Sequence, residues 1–130
     1  MAKAMAARAA PIVEIVSSNP GSRWRIIAGR TVQRSMDGGS TWQDQELGVS
    51  VALTAGSSPM PSVCWLVGSG GTVLVTADGR SWRRIAFPEA ADLIAVRAAD
   101  AQSATVTTAD GRTFSTTDGG ATWGQTGVRR

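Results

Sequence analysis

One short phrase occurs three times along this chain, and the repetition restricts the possible folds more than any other feature. The last copy, at residues 116–123, reads Thr-Thr-Asp-Gly-Gly-Ala-Thr-Trp, and the first, at residues 35–42, reads Ser-Met-Asp-Gly-Gly-Ser-Thr-Trp. A copy shortened by one residue lies between them at residues 76–82. The positions that define the copies are Ser35, Asp37, Gly39, Thr41 and Trp42, then Thr76, Asp78, Ser81 and Trp82, and finally Thr116, Asp118, Gly120, Thr122 and Trp123.

The copies recur at a nearly constant interval. Asp37 and Asp78 are 41 residues apart, and Asp78 and Asp118 are 40 apart. A period of about 40 residues is typical of one β-propeller blade, which is a four-stranded antiparallel sheet. The repeat therefore predicts an all-β fold of three four-stranded antiparallel blades, a partial β-propeller. The blades are expected at about residues 11–48, 49–88 and 89–128, within a single repeat domain spanning 11–130.

Each unit contains four runs with strand character, separated by turn residues. The composition agrees, with 15 glycines, 42% hydrophobic and only 18% charged residues. Residues 1–10 are expected to be a flexible N-terminal tail. The predicted strands are 12–16, 24–28, 31–35 and 41–46, then 51–55, 63–67, 72–76 and 81–87, and then 93–98, 104–108, 112–116 and 122–126, with a loop at 56–61.

The composition of the phrase suits a tight turn between the third and fourth strands. An Asp there can accept hydrogen bonds from the backbone N–H groups that follow it, and glycine adopts positive φ without steric cost. We expect Asp37, Asp78 and Asp118 to stabilise turns, because one per blade is too dispersed for a shared metal or ligand. The tryptophans that end the three boxes, Trp42, Trp82 and Trp123, are expected to pack between neighbouring blades.

These residues resemble the Asp-box, or bacterial neuraminidase repeat. The segment 67–79 (Val-Gly-Ser-Gly-Gly-Thr-Val-Leu-Val-Thr-Ala-Asp-Gly) resembles a blade of the photosystem II assembly-factor-like propellers. Residues 24–123 are also similar to a propeller-like segment at the C-terminal end of bacterial membrane-tethered anti-sigma-like proteins. The chain departs from the pattern at the shortened second box, and at Arg30, where the other units have Gly71 and Gly111.

The resemblance implies structural boxes on the outer rim and no catalysis. It favours a protein-interaction, assembly or scaffolding module associated with a larger membrane complex, or the sensing domain of a membrane-tethered regulator. It also implies an extracytoplasmic location, although this sequence shows no signal peptide. The alternative from a different class is a carbohydrate-binding, lectin-like propeller, in which Trp24 or Trp65 would stack on sugar rings. Apolar neighbours favour core packing for both side chains.

Composition argues against an enzyme. The chain has no Tyr and no His, so it lacks the nucleophile of sialidases and the commonest general base and metal ligand. We therefore expect no catalytic residues, no metal and no cofactor. The remaining enzymatic hypothesis is an inverting glycosidase that uses two carboxylates, with Asp44, Glu46, Glu89 and Asp92 as candidates. These residues are more simply explained as polar side chains at strand ends and in loops.

Other partner classes are also disfavoured. The formal charge is +3, and the arginines, Arg34 among them, are scattered rather than clustered, so nucleic-acid binding is not expected. Scattered arginines are instead typical of solvated strand faces. No run approaches the roughly 18 apolar residues needed to enter a membrane. Cys64 is the only cysteine, set among apolar residues as a buried side chain would be. Gly68 to Gly71 lacks the Lys-Ser/Thr of a phosphate-binding loop and is expected to be a turn.

Three blades do not close a ring, because closed propellers typically have about 4–8 blades. An open array is expected to expose apolar blade faces at both ends. We therefore expect a protein partner or self-association, with a homodimer of six blades favoured.

Overall fold

The computed structural model describes residues 12–47 and 51–126, so the predicted tail at 1–10 lies outside the described residues. The chain forms twelve strands in this part. They are β1 (Ile12–Val16), β2 (Arg23–Ile27), β3 (Thr31–Ser35), β4 (Gln43–Asp44), β5 (Leu53–Met60), β6 (Val63–Gly68), β7 (Val73–Thr76), β8 (Arg83–Ile85), β9 (Leu93–Ala98), β10 (Ala104–Thr108), β11 (Thr113–Thr116) and β12 (Gly124–Thr126).

The strands form three four-stranded sheets, each with its strands in sequence order and each pair antiparallel. We call them blades 1, 2 and 3. The first strands of successive blades contact one another, β1 with β5 and β5 with β9. The sheets therefore radiate from a line of first strands, and the prediction of an all-β partial propeller is confirmed.

The core consists of two layers, one at each junction between blades. Blade 2 contributes to both, because β6 and β7 are buried along their whole length. The layer between blades 1 and 2 contains Ile15, Trp24, Ile26, Val32, Leu53, Cys64, Leu66 and Leu74. The layer between blades 2 and 3 contains Val63, Trp65, Val67, Val73, Val75, Ile85, Leu93, Ala104, Val106 and Phe114. Each blade is stabilised by burying its apolar side chains on a neighbour.

The structure differs from the sequence prediction most clearly in β5, which is longer than expected, and in the fourth strand of each blade, which is shorter. The segment 56–61 was expected to be a loop, but β5 continues through it to Met60 with two register shifts. The hydroxyl of Ser58 donates to the carbonyl groups of Met60 and Val63, and these bonds hold the irregular end of the hairpin. Strand β4 is only Gln43–Asp44, because the turn before it holds the flanking residues.

The outer faces of blades 1 and 3 are more polar than expected. On blade 1, Glu14, Arg25, Gln33 and Asp44 lie directly opposite one another across the four strands. We call this side, with Ile12, Val16, Arg23, Ile27 and Trp42, the blade-1 face. On blade 3 the side that faces away from blade 2, which we call the blade-3 face, carries Ala95, Arg97, Thr105, Thr107, Thr113 and Ser115, with the exposed Ile94 of β9 beside them. The end faces are therefore mixed rather than apolar: charged and hydroxyl side chains lie on them together with exposed apolar residues such as Ile12 and Val16.

Among the residues that the structure describes, no helix is long and apolar enough to cross a bilayer.

Candidate functional site: the rim turns and the junctions between blades

The first box is closed by hydrogen bonds from both of its ends to one carboxylate. Asp37 accepts from the Ser35 hydroxyl at 2.8 Å, from the Thr41 backbone N–H at 2.9 Å and from the Thr41 hydroxyl at 2.5 Å. The Ser35 hydroxyl in turn accepts from the N–H of Gly39 at 2.8 Å. Gly39 has φ +99°, which glycine adopts readily. The turn is thus organised around Asp37.

The third box repeats this arrangement. Asp118 accepts from the hydroxyl of Thr116 at 2.7 Å, and from the N–H and hydroxyl of Thr122 at 3.0 and 2.6 Å. Gly120 donates its N–H to the Thr116 hydroxyl at 2.9 Å. The same residue types at the same spacing therefore give the same turn in blades 1 and 3.

The second box is tighter, as its missing residue predicts. Asp78 accepts from the backbone N–H groups of Arg80 at 2.9 Å and Ser81 at 2.8 Å, and from the Thr76 hydroxyl at 3.1 Å. The carboxylate caps the very next residues instead of reaching across a longer loop. The shorter turn leaves Arg80 exposed at the rim.

These bonds alter the acidity of the three carboxyl groups. The Thr41 hydroxyl is the main cause that lowers the pKa of Asp37 to about 2, and the Thr122 hydroxyl does the same for Asp118. For Asp78 the backbone N–H of Ser81 is the main cause of a pKa of about 2. Local hydrogen-bond donors stabilise the charged form of each carboxylate, and a lowered pKa is what a turn-capping carboxylate should show.

Two of the three box tryptophans connect neighbouring blades. The indole N–H of Trp82 donates to the Gln45 side chain of blade 1 at 3.1 Å, and that of Trp123 donates to the Ala86 carbonyl of blade 2 at 3.0 Å. Both bonds span 37 residues and point towards the preceding blade. Trp42 instead donates to the carbonyl of Gly39 in its own turn at 3.1 Å.

Trp42 is covered by a cation from its own sheet. The guanidinium of Arg25 lies 4.1 Å from the centre of the Trp42 ring. Arg25 also donates to Gln33 at 2.8 Å, and Gln33 donates to Asp44 at 2.7 Å. The blade-1 face thus carries a continuous polar network that ends on an aromatic ring.

The second-strand tryptophans, which were the candidates for sugar stacking, are both fully buried. Trp65 donates its indole N–H to the Asp100 carbonyl of blade 3 at 2.9 Å and meets the Trp123 ring edge-on at 6.4 Å. The indole nitrogen of Trp24 has no hydrogen-bond partner among the described residues. Neither ring can stack on a sugar, because neither is accessible.

Arg34 is the residue at the blade 1–2 junction that the sequence interpretation missed. Its guanidinium donates to the carbonyl groups of Pro61 at 2.9 Å and Gly79 at 3.3 Å, and lies 5.0 Å from the ring of Trp24. Desolvation lowers its pKa, and Arg80 adds to the effect. Scattered arginines were interpreted as solvated. The signal that could have found Arg34 is its place two residues after the buried Val32 on the inward side of β3.

Three of the four carboxylates considered for glycoside hydrolysis have separate local roles, and the fourth, Glu46, is exposed after β4. Asp44 belongs to the network on blade 1, Glu89 lies 3.1 Å from the Arg112 guanidinium, and Asp92 accepts from the Gly70 N–H at 2.9 Å. Within 12–47 and 51–126, no group of three or more Cys, Asp or Glu side chains is arranged to hold a metal ion. Burial raises the pKa of the Cys64 thiol well above its usual value.

A shallow groove lies beside the second box on the rim. It has a volume of about 310 Å³, with an indole, two small apolar side chains and an arginine among its walls. A second depression shares Arg83 and continues past Arg84 to the third box. The residues that line the groove are Val75, Ala77, Asp78, Ser81, Trp82 and Arg83.

Comparison with known proteins assigns the chain to a family. The family model described as photosynthesis system II assembly factor YCF48 matches residues 6–129. A solved structure described as YCF48 bound to D1 peptide superposes with a TM-score of 0.79 at 24% identity, covering 89% of this chain and 39% of that one. YCF48 from Cyanidioschyzon merolae gives 0.73 at 23% identity, covering 88% and 38%.

The chain thus spans well under half the length of either structure's chain, and at these identities the likeness shows the fold alone. No curated protein sequence matches the chain. The family model, by contrast, covers nearly every residue, including all three boxes. The chain belongs to the family of the photosynthesis system II assembly factor YCF48.

Proposed function

We propose that this chain is a non-catalytic protein-interaction module that acts in assembly or scaffolding. The observation that carries the proposal is the family match over residues 6–129, in a family described as an assembly factor. A relative of the same fold is described as bound to a peptide. Association with a larger membrane complex is suggested by the same family description and is part of the proposal.

The boxes serve this function indirectly. Their carboxylates are occupied by the hydroxyl and backbone donors of their own turns, so they stabilise the rim rather than bind a ligand. The residues that recognise a partner therefore lie between the boxes. The groove beside Trp82 is the best candidate, because aromatic and Arg side chains are enriched at protein interfaces.

The chemistry of the groove favours an acidic peptide. Arg83 and Arg84 are exposed on β8, and Arg80 projects from the adjoining turn, while Asp78 is committed to its turn. An apolar side chain of the peptide would rest against Trp82 and a carboxylate would meet the arginines. Such a contact is charge-assisted, so its affinity falls as salt is added.

Two alternatives have different signatures. A lectin would need an exposed aromatic platform; Trp24 and Trp65 are buried and Arg25 covers the ring of Trp42, so the half-buried ring of Trp82 in the groove would have to serve. A sensing domain of a membrane-tethered regulator would use the same groove to bind the peptide or protein that it senses. It would therefore differ from an assembly module only in the response that binding triggers.

The test is a peptide selection and then a titration. Peptides selected from a random display library on the immobilised chain are labelled and titrated by fluorescence anisotropy. We expect acidic sequences with an apolar centre, with affinity lowered about tenfold by Arg83→Glu, the loss of one good charged contact. Arg30→Glu, at an exposed hairpin turn of blade 1, makes the same charge change away from the groove and should leave binding unchanged.

A parallel glycan array decides between the classes. Saturable glycan binding with no selected peptide would establish the lectin and contradict the proposal. Peptides that bind equally well to the Arg83→Glu and wild-type chains would place the binding surface outside the groove.

A further inference from the structure

The two outer faces of the blade array differ systematically from the faces inside it. On the blade-1 face, Arg23, Arg25 and Gln33 occupy the positions of Cys64, Leu66 and Leu74 in blade 2, which lie 41 residues later. On the blade-3 face, Thr105, Thr107 and Thr113 occupy the positions of Trp65, Val67 and Val73, which lie 40 residues earlier. The interior positions are buried and apolar, and the corresponding outer positions are polar.

The substitutions on the two faces compensate each other in size. At both internal junctions a large ring packs in the same buried layer as a small side chain, Trp24 with Cys64 and Trp65 with Ala104. The corresponding residues of the outer faces are Thr105 and Arg23, so the small residue is now on the blade-3 face and the large one on the blade-1 face. If the two outer faces met, a large residue would again lie opposite a small one, as it does at both internal junctions.

The inner ends of the two faces carry a matching pair of apolar residues. At the junction of blades 2 and 3, the Thr54 hydroxyl donates to the Leu93 carbonyl at 2.5 Å. The residues at the equivalent positions of the outer faces are Ile94, in place of Thr54, and Ile12, in place of Leu93. Ile94 is 52% exposed and Ile12 is 54% exposed, and they are among the most exposed large hydrophobic residues in the described chain.

Trp42 gives an independent indication that the blade-1 face is a junction surface. Trp82 and Trp123 each donate to the preceding blade, whereas Trp42, at the same position of its box, donates to its own turn and lies under Arg25. It lies on the blade-1 face beside Arg25, with Trp and Arg being the residue types most enriched at binding hot spots.

We propose that the blade-3 face of one chain docks on the blade-1 face of a second copy, and that two such junctions close a ring of six blades. Six lies within the usual range of about 4–8 blades. The interface is polar and hydrated around the threonine hydroxyls and the arginines, with the Ile94–Ile12 contact as its apolar anchor. The proposal does not depend on the peptide groove, which lies on the rim of blade 2.

Light scattering over a dilution series tests the proposal. From about 1 μM to about 1 mM protein, the mass should rise from that of one 13.5 kDa chain to twice that value and no further. Ile94→Glu should raise the dissociation constant about tenfold or more, as expected for loss of an interface anchor. Met36→Glu is the matched control, because Met36 is 71% exposed in the first box and lies on neither face.

A cross-linking experiment tests which faces meet. An equimolar mixture of Ile12→Cys and Ile94→Cys chains is treated with a short bismaleimide, and Cys64 is buried and stays unmodified. We expect a covalent dimer, and none when Met36→Cys replaces Ile94→Cys. A monomer at every concentration, a dimer unaffected by Ile94→Glu, or masses that grow beyond two chains would overturn the proposal.

Discussion

Replacing Trp65 and Trp24 by Phe should have unequal effects, although the two residues occupy equivalent positions of blades 2 and 1. Both indoles are fully buried, and both substitutions remove the same atoms. Trp65→Phe also leaves the Asp100 carbonyl without the indole donor that now lies 2.9 Å away. Trp24→Phe removes a nitrogen that has no partner among the described residues.

The difference can be estimated from general energetics. The loss of ring volume is common to both variants and cancels to first order. The guanidinium of Arg34, which lies over the Trp24 ring, would still lie over an aromatic ring in Trp24→Phe. Loss of one partner of a buried hydrogen bond costs about 1–3 kcal/mol, whereas removing an unpaired buried donor carries no such penalty. Because the Asp100 carbonyl is only partly buried, we expect Trp65→Phe to cost about 1 kcal/mol more than Trp24→Phe.

Urea unfolding monitored by far-ultraviolet circular dichroism measures the difference, provided that the slopes of the two variants agree. The tryptophan fluorescence of the remaining four residues gives a second probe of the same transition. Equal destabilisation, or greater destabilisation by Trp24→Phe, would show that the cross-blade hydrogen bond of Trp65 does not stabilise the junction.

Three further predictions concern the boxes and the core. The pKa values of Asp37 and Asp118 are lowered to about 2, against about 4 in the unfolded chain, so the stability that these carboxylates contribute is complete above about pH 4 and is lost as the pH falls through 2. Urea midpoints measured from pH 5 to pH 2 should therefore fall across that window, and a constant midpoint would refute the turn-capping role. Gly120→Ala should destabilise more than Gly111→Ala, because both have φ above +90° but only the added methyl at Gly120 meets a neighbouring side chain; equal melting temperatures would contradict the packing at the third box. The Cys64 thiol, fully buried, should react with a thiol reagent only after urea unfolding, and rapid modification of the native chain would mean that the blade 1–2 junction opens.

The repeat period was enough to predict the fold, because a blade is a local unit whose four strands are consecutive in sequence. The turn residues were also predictable, since the hydrogen bonds of Asp37 and Asp118 reach no further than four residues. These features depend on neighbours in the chain. A sequence contains that information directly.

Junctions between blades were predicted less well, because they depend on which face meets which neighbour. Trp42 was expected to pack between blades like the other box tryptophans, but it folds on its own turn beside Arg25. Arg34 was interpreted as solvated, although it joins two blades through carbonyl groups 27 and 45 residues away. The end faces were expected to be apolar. The sequence already contained evidence against that expectation, because Thr105 occupies the position in blade 3 that Trp65 occupies in blade 2.

Hydrogen-exchange mass spectrometry of the chain with and without a selected acidic peptide tests the proposed function most directly. We predict slower exchange on peptide binding in β8 and in the second box, residues 76–85, because most of the residues that line the groove belong to this segment. The first strands of the three blades should exchange at unchanged rates. Protection of β1, β5 and β9 with none at the groove would contradict the assignment of the rim as the binding surface.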